Sequence, residues 1–322
     1  MTGLPTTGPM TSGGSATSGP TTSDGSATSG PTTSGGSATS GPATSGTTAT
    51  AAEEAGYSSP LPNPRPHLGH ALASEWTKMT SVRSTMWTLS LLVATVVGIG
   101  LLLILNTKNE DYDRIPFTTP AIFGLLIGQL SVMVLGVLTM TSEHGTGLIR
   151  TTFTAAPERH RVLTAKYIVF SLTAFLVTAA SVFVVTLAAT IVHSGAGSGR
   201  HGESEWTGAL LGSLYVTLLG VLALALGALM RHAAGAIATM IGVVTLPPVI
   251  GAVLNIWEAG KSAGEALLQY NAPVALLQLF GLTSNDGGLS AVPGDTAQMT
   301  LVLLVTGAAV AASYVVVGRR DV

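Results

Sequence analysis

MWTLSLLVATVVGIGLLLIL, residues 86–105, contains no Asp, Glu, Lys or Arg. A helix rises 1.5 Å per residue, so a stretch of this length covers about 30 Å, the thickness of a bilayer's hydrocarbon core. Working outward, stretches of similar character recur at Ala121–Met140, Tyr167–Val192, Ala209–Met230, Ala233–Ile256 and Met299–Gly318, again without a charged residue. Inside lipid every backbone polar group must be satisfied within its own segment, which selects helices. The reading is an all-α integral membrane protein with six transmembrane helices.

Composition agrees. Of 322 residues 47% are hydrophobic and only 9% charged, with a mean hydropathy of +0.52. Soluble domains carry roughly 25% charge, and a soluble fold this poor in charge would expose large apolar patches. A net charge of −2 supplies no basic stripe for nucleic acid. With no cysteine, thiol catalysis, disulfides and Cys-ligated zinc are excluded. Met1–Gly8 has neither a basic residue nor an apolar run. It does not read as a cleavable signal, so the first membrane helix is expected to direct targeting.

The chain before His67 is different. Pro9, Pro20, Pro31 and Pro42 each open a variant of the 11-residue unit PTTSGGSATSG. An 11-residue period suits a right-handed coiled coil only where an apolar seam exists. Here Ala and Met10 are the only apolar residues on offer, and Gly and Pro interrupt any helix. Such a segment cannot bury enough apolar surface to offset its conformational entropy, so a disordered tail is expected. Four prolines between Ser58 and Pro66 mark an extended linker. Two regions follow: a tail and linker over 1–66, and a six-helix transmembrane domain over 67–322.

Basic residues orient the helices. Arg65, Lys78, Arg83, Arg150, Arg159, Arg161, Lys166, Arg231, Arg319 and Arg320 fall on one side, while Lys108, Arg114, Arg200 and Lys261 fall on the other beside Glu110, Asp111, Asp113, Glu203 and Glu205. The richer side is the cytoplasmic one, and with six spans both termini lie there.

Several candidate motifs dissolve on inspection. Gly260-Lys261-Ser262 resembles the end of a phosphate-binding loop, but Asn255 occupies the position of the required first Gly. His193, His201, Glu203 and Glu205 share one loop, where solvated side chains are a simpler reading than a metal site needing converging ligands. No Gly-x-Ser-x-Gly elbow and no paired intramembrane aspartates are present. Gly124, Gly128, Gly208 and Gly212 have spacings that let helices approach, and Pro247-Pro248 should kink the fifth span. Without a charge inside any span there is nothing to bind a driving ion. If the protein transports, its energy arrives from elsewhere.

Two segments on the cytoplasmic side carry more information. In Leu72–Met86, steps of three or four place Leu72, Trp76, Met79, Arg83 and Met86 on one helical face, with Ser74, Lys78 and Ser81 turned away. Glu75, Trp76, Lys78 and Arg83 suit an N-terminal helix lying in the membrane interface. In Thr141–Lys166, Gly145 and Gly147 break the chain after the second span. Leu148, Ile149, Thr152 and Phe153 give a short apolar face, and Pro157 and Glu158 start the next helix. A positively charged loop needs no glycine hinges or apolar turn, so this one reads as a docking element. Glu143, Gly145, Gly147, Leu148, Ile149, Arg150, Phe153 and Pro157 are its candidate residues.

SEWTKMTSVRSTMWT (residues 74–88) and SEHGTGLIRTTF (residues 142–153) resemble the permeases of type-2 ATP-binding-cassette transporters, over about residues 70–322. The resemblance implies an interfacial helix before the first span and a coupling helix between the second and third. It also implies a semi-buried external segment, here Asn271–Leu282, and both termini in the cytoplasm of a bacterial inner membrane. Such permeases pair with a second permease copy and with ATPase subunits, usually as exporters. ATP and Mg would then belong to the partner, with no cofactor, metal or catalytic residue on this chain. The Ser/Gly/Thr tail departs from the family pattern.

Two other readings share the topology. A channel or facilitator needs no ATPase, although Gln129, Ser131, Ser171 and Ser181 are few for a polar pore. A non-transporting membrane anchor would make the tail the working part. The transported substrate has no signature in the residues.

Overall fold

The computed structural model describes residues 67–112, 115–145, 159–194, 203–230, 232–282 and 295–319. These belong to the unit Asn63–Val322. The repeat tail and linker expected over 1–66 lie outside the described residues.

Among the described residues the chain is helical, with no strand. Helix α1 is Leu68–Ser81, α2 Arg83–Asn106, α3 Asn109–Tyr112, α4 Thr119–Gly145, α5 Arg159–Val192, α6 Glu203–Met230, α7 Ala233–Leu254, α8 Lys261–Gln269, α9 Ala272–Leu279 and α10 Asp295–Arg319. Helices α2, α4, α5, α6, α7 and α10 are long and apolar enough to cross a membrane. They match the six stretches read from the sequence. This is an all-α, multi-pass membrane protein.

The bundle is built around α4 and α6. In their most apolar windows 61% and 72% of residues are buried, against 22% for α2, 17% for α7 and 22% for α10. The outer three therefore turn apolar side chains outward, including Leu102, Leu105, Val249 and Leu304. Lipid tails are as apolar as leucine, so tight packing rather than water exclusion holds such helices together. Glycine provides it at the central crossing. A Cβ on Gly136 of α4 would run into the Gly220 carbonyl of α6, and one on Gly220 would meet Val132 and Phe170. Gly124 and Gly128 pack against Val96 of α2, while Gly208 and Gly212 pack against Leu279 and Phe280. All four pack within this chain.

The helix ends depart from expectation in an instructive way. The interfacial segment is not one helix over Leu72–Met86. It begins at Leu68 and stops at Ser81, because Val82 is extended (φ −80°, ψ 119°) and redirects the chain into α2. Arg83 thus opens the first span rather than belonging to α1. Helix α4 continues to Gly145, and α5 begins at Arg159 and runs for 34 residues. At 1.5 Å per residue α5 is about 50 Å long, longer than the hydrocarbon core, so its first turns reach the membrane's edge. Helix α7 remains helical through Pro247 and Pro248.

At the opposite end, α8 and α9 fold back between α7 and α10. Asn271 caps α9, its Oδ1 accepting from Val274 N at 3.0 Å. Gly281, at φ 77°, ends it in the left-handed conformation that glycine adopts without strain. Ala272, Ala275, Leu276 and Leu279 are buried, so Asn271–Leu282 is half-embedded in the bundle.

Candidate functional site: a buried four-charge cluster

Glu75 and Lys78 of α1, Glu143 of α4 and Lys166 of α5 meet at one point. Lys166 Nζ donates to Glu75 Oε2 at 2.6 Å and to Glu143 Oε1 at 2.8 Å. Lys78 Nζ donates to Glu75 Oε1 at 2.7 Å and to the same Glu143 oxygen at 3.0 Å. The side chains of Glu75 and Lys166 are 2% and 4% exposed, Glu143 10% and Lys78 38%. Two acids face two bases, so the cluster is neutral as a whole. Charges taken from water are tolerated only when paired and hydrogen-bonded in this way.

The local helices explain the arrangement. Glu75 and Met79, one turn apart, form the buried stripe of α1, and Lys78 reaches back to Glu75 across three residues. Burial pulls the Lys78 ammonium down in pKa. The hydrogen bonds and charges of Glu75 and Glu143 outweigh that and hold it above the ordinary 10.5. Glu143 lies in the last turn of α4 and Lys166 at the start of the third turn of α5. A cavity of roughly 220 Å³ adjoins the cluster, lined also by Val82, Thr85, Leu135, Thr139 and Ser142.

Three sequence expectations are corrected here. Glu143, expected on a docking surface, is turned inward onto two lysines. Lys78, expected to face away from the packed side of α1, is drawn into the cluster, whereas Trp76 is 52% exposed. Lys166, read as part of the loop before the third span, lies instead within α5 and is buried. Lys166 carried no signal beyond its basic charge, because its partners lie 91 and 23 positions away.

Of the remaining candidates, Gly145 is the last residue of α4. Gly147, Leu148, Ile149, Arg150, Phe153 and Pro157 lie outside the described residues. The residues flanking that segment are described: Glu143, three residues before its start, and Lys166, about two turns after its end, are joined by an ion pair.

Other polar contacts brace the bundle. Tyr167 Oη and Ser313 Oγ share a hydrogen bond of 2.8 Å, as do Thr164 Oγ1 and Tyr314 Oη, joining α5 to α10. His193, read as a solvated loop residue, is 5% exposed. Its ring bonds Asn109 Oδ1 and the Ile104 carbonyl and lies against Tyr112. It fastens the end of α5 to the end of α2. Glu205 accepts instead from Phe117 N at 3.1 Å, and His201 lies outside the described residues. Among the described residues no three His, Asp or Glu side chains gather into a metal site.

The fold and the cluster define a multi-pass helical membrane protein in which α1, α4 and α5 are joined by four paired charges. No protein-family model matches the chain, and no curated protein matches it.

Proposed function

We propose that the chain is the membrane-spanning subunit of an ATP-driven exporter, energised by a separate ATPase that docks on residues 146–158. The observation that carries this reading is the pair of segments, 74–88 and 142–153, whose acids Glu75 and Glu143 converge on the two lysines. In the two segments that resemble type-2 ATP-binding-cassette permeases, Glu75 and Glu143 are thus neighbours in space. Residues 146–158 join α4 to α5, and Glu143 and Lys166 fix those two helix ends to each other, so an ATPase seated on the segment could pass force to both helices.

In this reading both termini and the four-charge cluster face the cytoplasm of a bacterial plasma membrane. ATP and Mg bind the partner. A second permease copy and lipid cover the outward apolar faces of α2, α7 and α10. The chain has no ATPase motif of its own and acts as a permease, not an enzyme. The discriminating experiment expresses the chain, tagged at Val322, with each ATPase encoded beside it. Co-purification of one such subunit in a complex that hydrolyses Mg-ATP supports the reading. Transport that continues in cells lacking every candidate ATPase rejects it in favour of a facilitator.

A further inference from the structure

Helix α1 meets the bundle through a narrow stripe in which charge is central, with Leu72 packed against the core beside it. Its buried side chains are Glu75 and Met79, and Trp76, Thr77, Thr80 and Ser81 are exposed. Lys166 is the residue on which this attachment converges, since its single ammonium serves carboxylates from two other helices. We propose that Lys166 is a positioning residue that fixes α1, the end of α4 and the start of α5 as one unit. A displacement of the end of α4 or the start of α5 is then passed to α1 and, across the Val82 joint, to α2. The consequence for transport rests on the exporter reading. The positioning itself does not.

Charge balance sets this apart from simple packing. Without Lys166, two carboxylates share the half-exposed Lys78, and the 2%-exposed Glu75 loses its Oε2 partner. Such an uncompensated buried charge is relieved by drawing α1 into water. If Glu75 is neutralised as well, Lys78 and Glu143 remain as a matched pair at 3.0 Å. The double variant should therefore be milder than the single one, the reverse of what additive loss of packing gives.

The test uses the full chain in lipid nanodiscs. The chain has no cysteine, so Trp76→Cys on α1 and Leu172→Cys on α5, both exposed, take spin labels uniquely. With Lys166 present one narrow distance distribution is expected. Lys166→Met should broaden it and speed amide exchange in residues 68–81 by about tenfold or more, as local release of an anchored helix requires. Adding Glu75→Gln should restore both. If Lys166→Met fails to insert, repair of insertion by Glu75→Gln is the same rescue. An unchanged distribution in Lys166→Met, or a double variant as disturbed as the single, overturns the proposal. Neither readout needs an ATPase or a transported molecule, so failure of the exporter assignment would leave this result intact.

Discussion

Lys166 Nζ lies 2.6 Å from Glu75 Oε2, joining helices whose residues are 91 positions apart, with both side chains almost fully buried. Breaking such a pair from one side leaves a buried charge alone, which costs about 3–5 kcal/mol. Lys166→Met should therefore lower the midpoint of thermal unfolding in lipid more than Lys78→Met does, because Lys78 is 38% exposed and water can replace it. Equal losses from the two variants would mean that burial does not govern the cluster.

The same cluster sets a pH dependence of known sign. The pKa of Lys78 is raised in the folded chain by Glu75 and Glu143, with Lys166 as its other charged neighbour, despite the opposing effect of burial. A raised base stabilises the fold in full below its unfolded value of 10.5 and loses that contribution as pH rises through the folded value. A spin label at Trp76→Cys should thus keep its mobility across roughly pH 6–9 and be released only in stronger base. Release of α1 between neutrality and pH 9 would contradict the assigned contacts.

Glycine placement makes a separate prediction about the centre of the bundle. A side chain at Gly136 has no room against α6, whereas a Cβ at Gly98 meets nothing within 4 Å. Gly136→Leu should destabilise the protein by about 1–3 kcal/mol or more through overpacking, and Gly98→Ala should be close to neutral. Thermal melts of the two purified variants make the comparison.

Much of this was legible from local sequence, for an identifiable reason. Hydropathy is summed over neighbours in the chain, so runs such as 86–105 and 209–230 declared themselves. What was missed depends on distance or on context. The charges at Glu143 and Lys166 ended the apolar stretches at Met140 and Tyr167, yet the helices continue because each charge finds a partner on another helix. Val82 is not a helix breaker by composition, so the joint between α1 and α2 had no signal. His193 looked like a loop residue beside other polar ones. Its buried place comes from Asn109 and the Ile104 carbonyl, 84 and 89 positions away.

Orientation in the membrane is open to direct measurement. The sequence assigns ten of the fourteen Lys and Arg residues to the side expected to hold both termini. Reporter fusions at Val322 and near Arg159 should report cytoplasm, and fusions near Asp111 and Glu203 the exterior. A cytoplasmic signal at Glu203 would be incompatible with six spans.

The functional reading stands or falls on the segment between α4 and α5. It leaves α4 after Gly145 and returns at Arg159, so an ATPase seated on it would act on two neighbouring spans at once. In the proposed contact Leu148, Ile149 and Phe153 are the apolar anchors and Arg150 lies at the rim. Glu143, already committed to two lysines, serves the foundation rather than the contact. Phe153→Asp would bury an unpaired charge in the contact, at a cost of several kcal/mol. It should therefore abolish ATPase association and transport together while leaving insertion and melting unchanged. Arg150→Ala should weaken association less, since rim charges contribute less than buried anchors. Glu143→Gln should behave differently from both, lowering thermal stability first and association only through it. Co-purification yield and melting midpoint, measured on the same three variants, separate these cases. Full ATPase association in the Phe153→Asp protein would remove the coupling role from this segment.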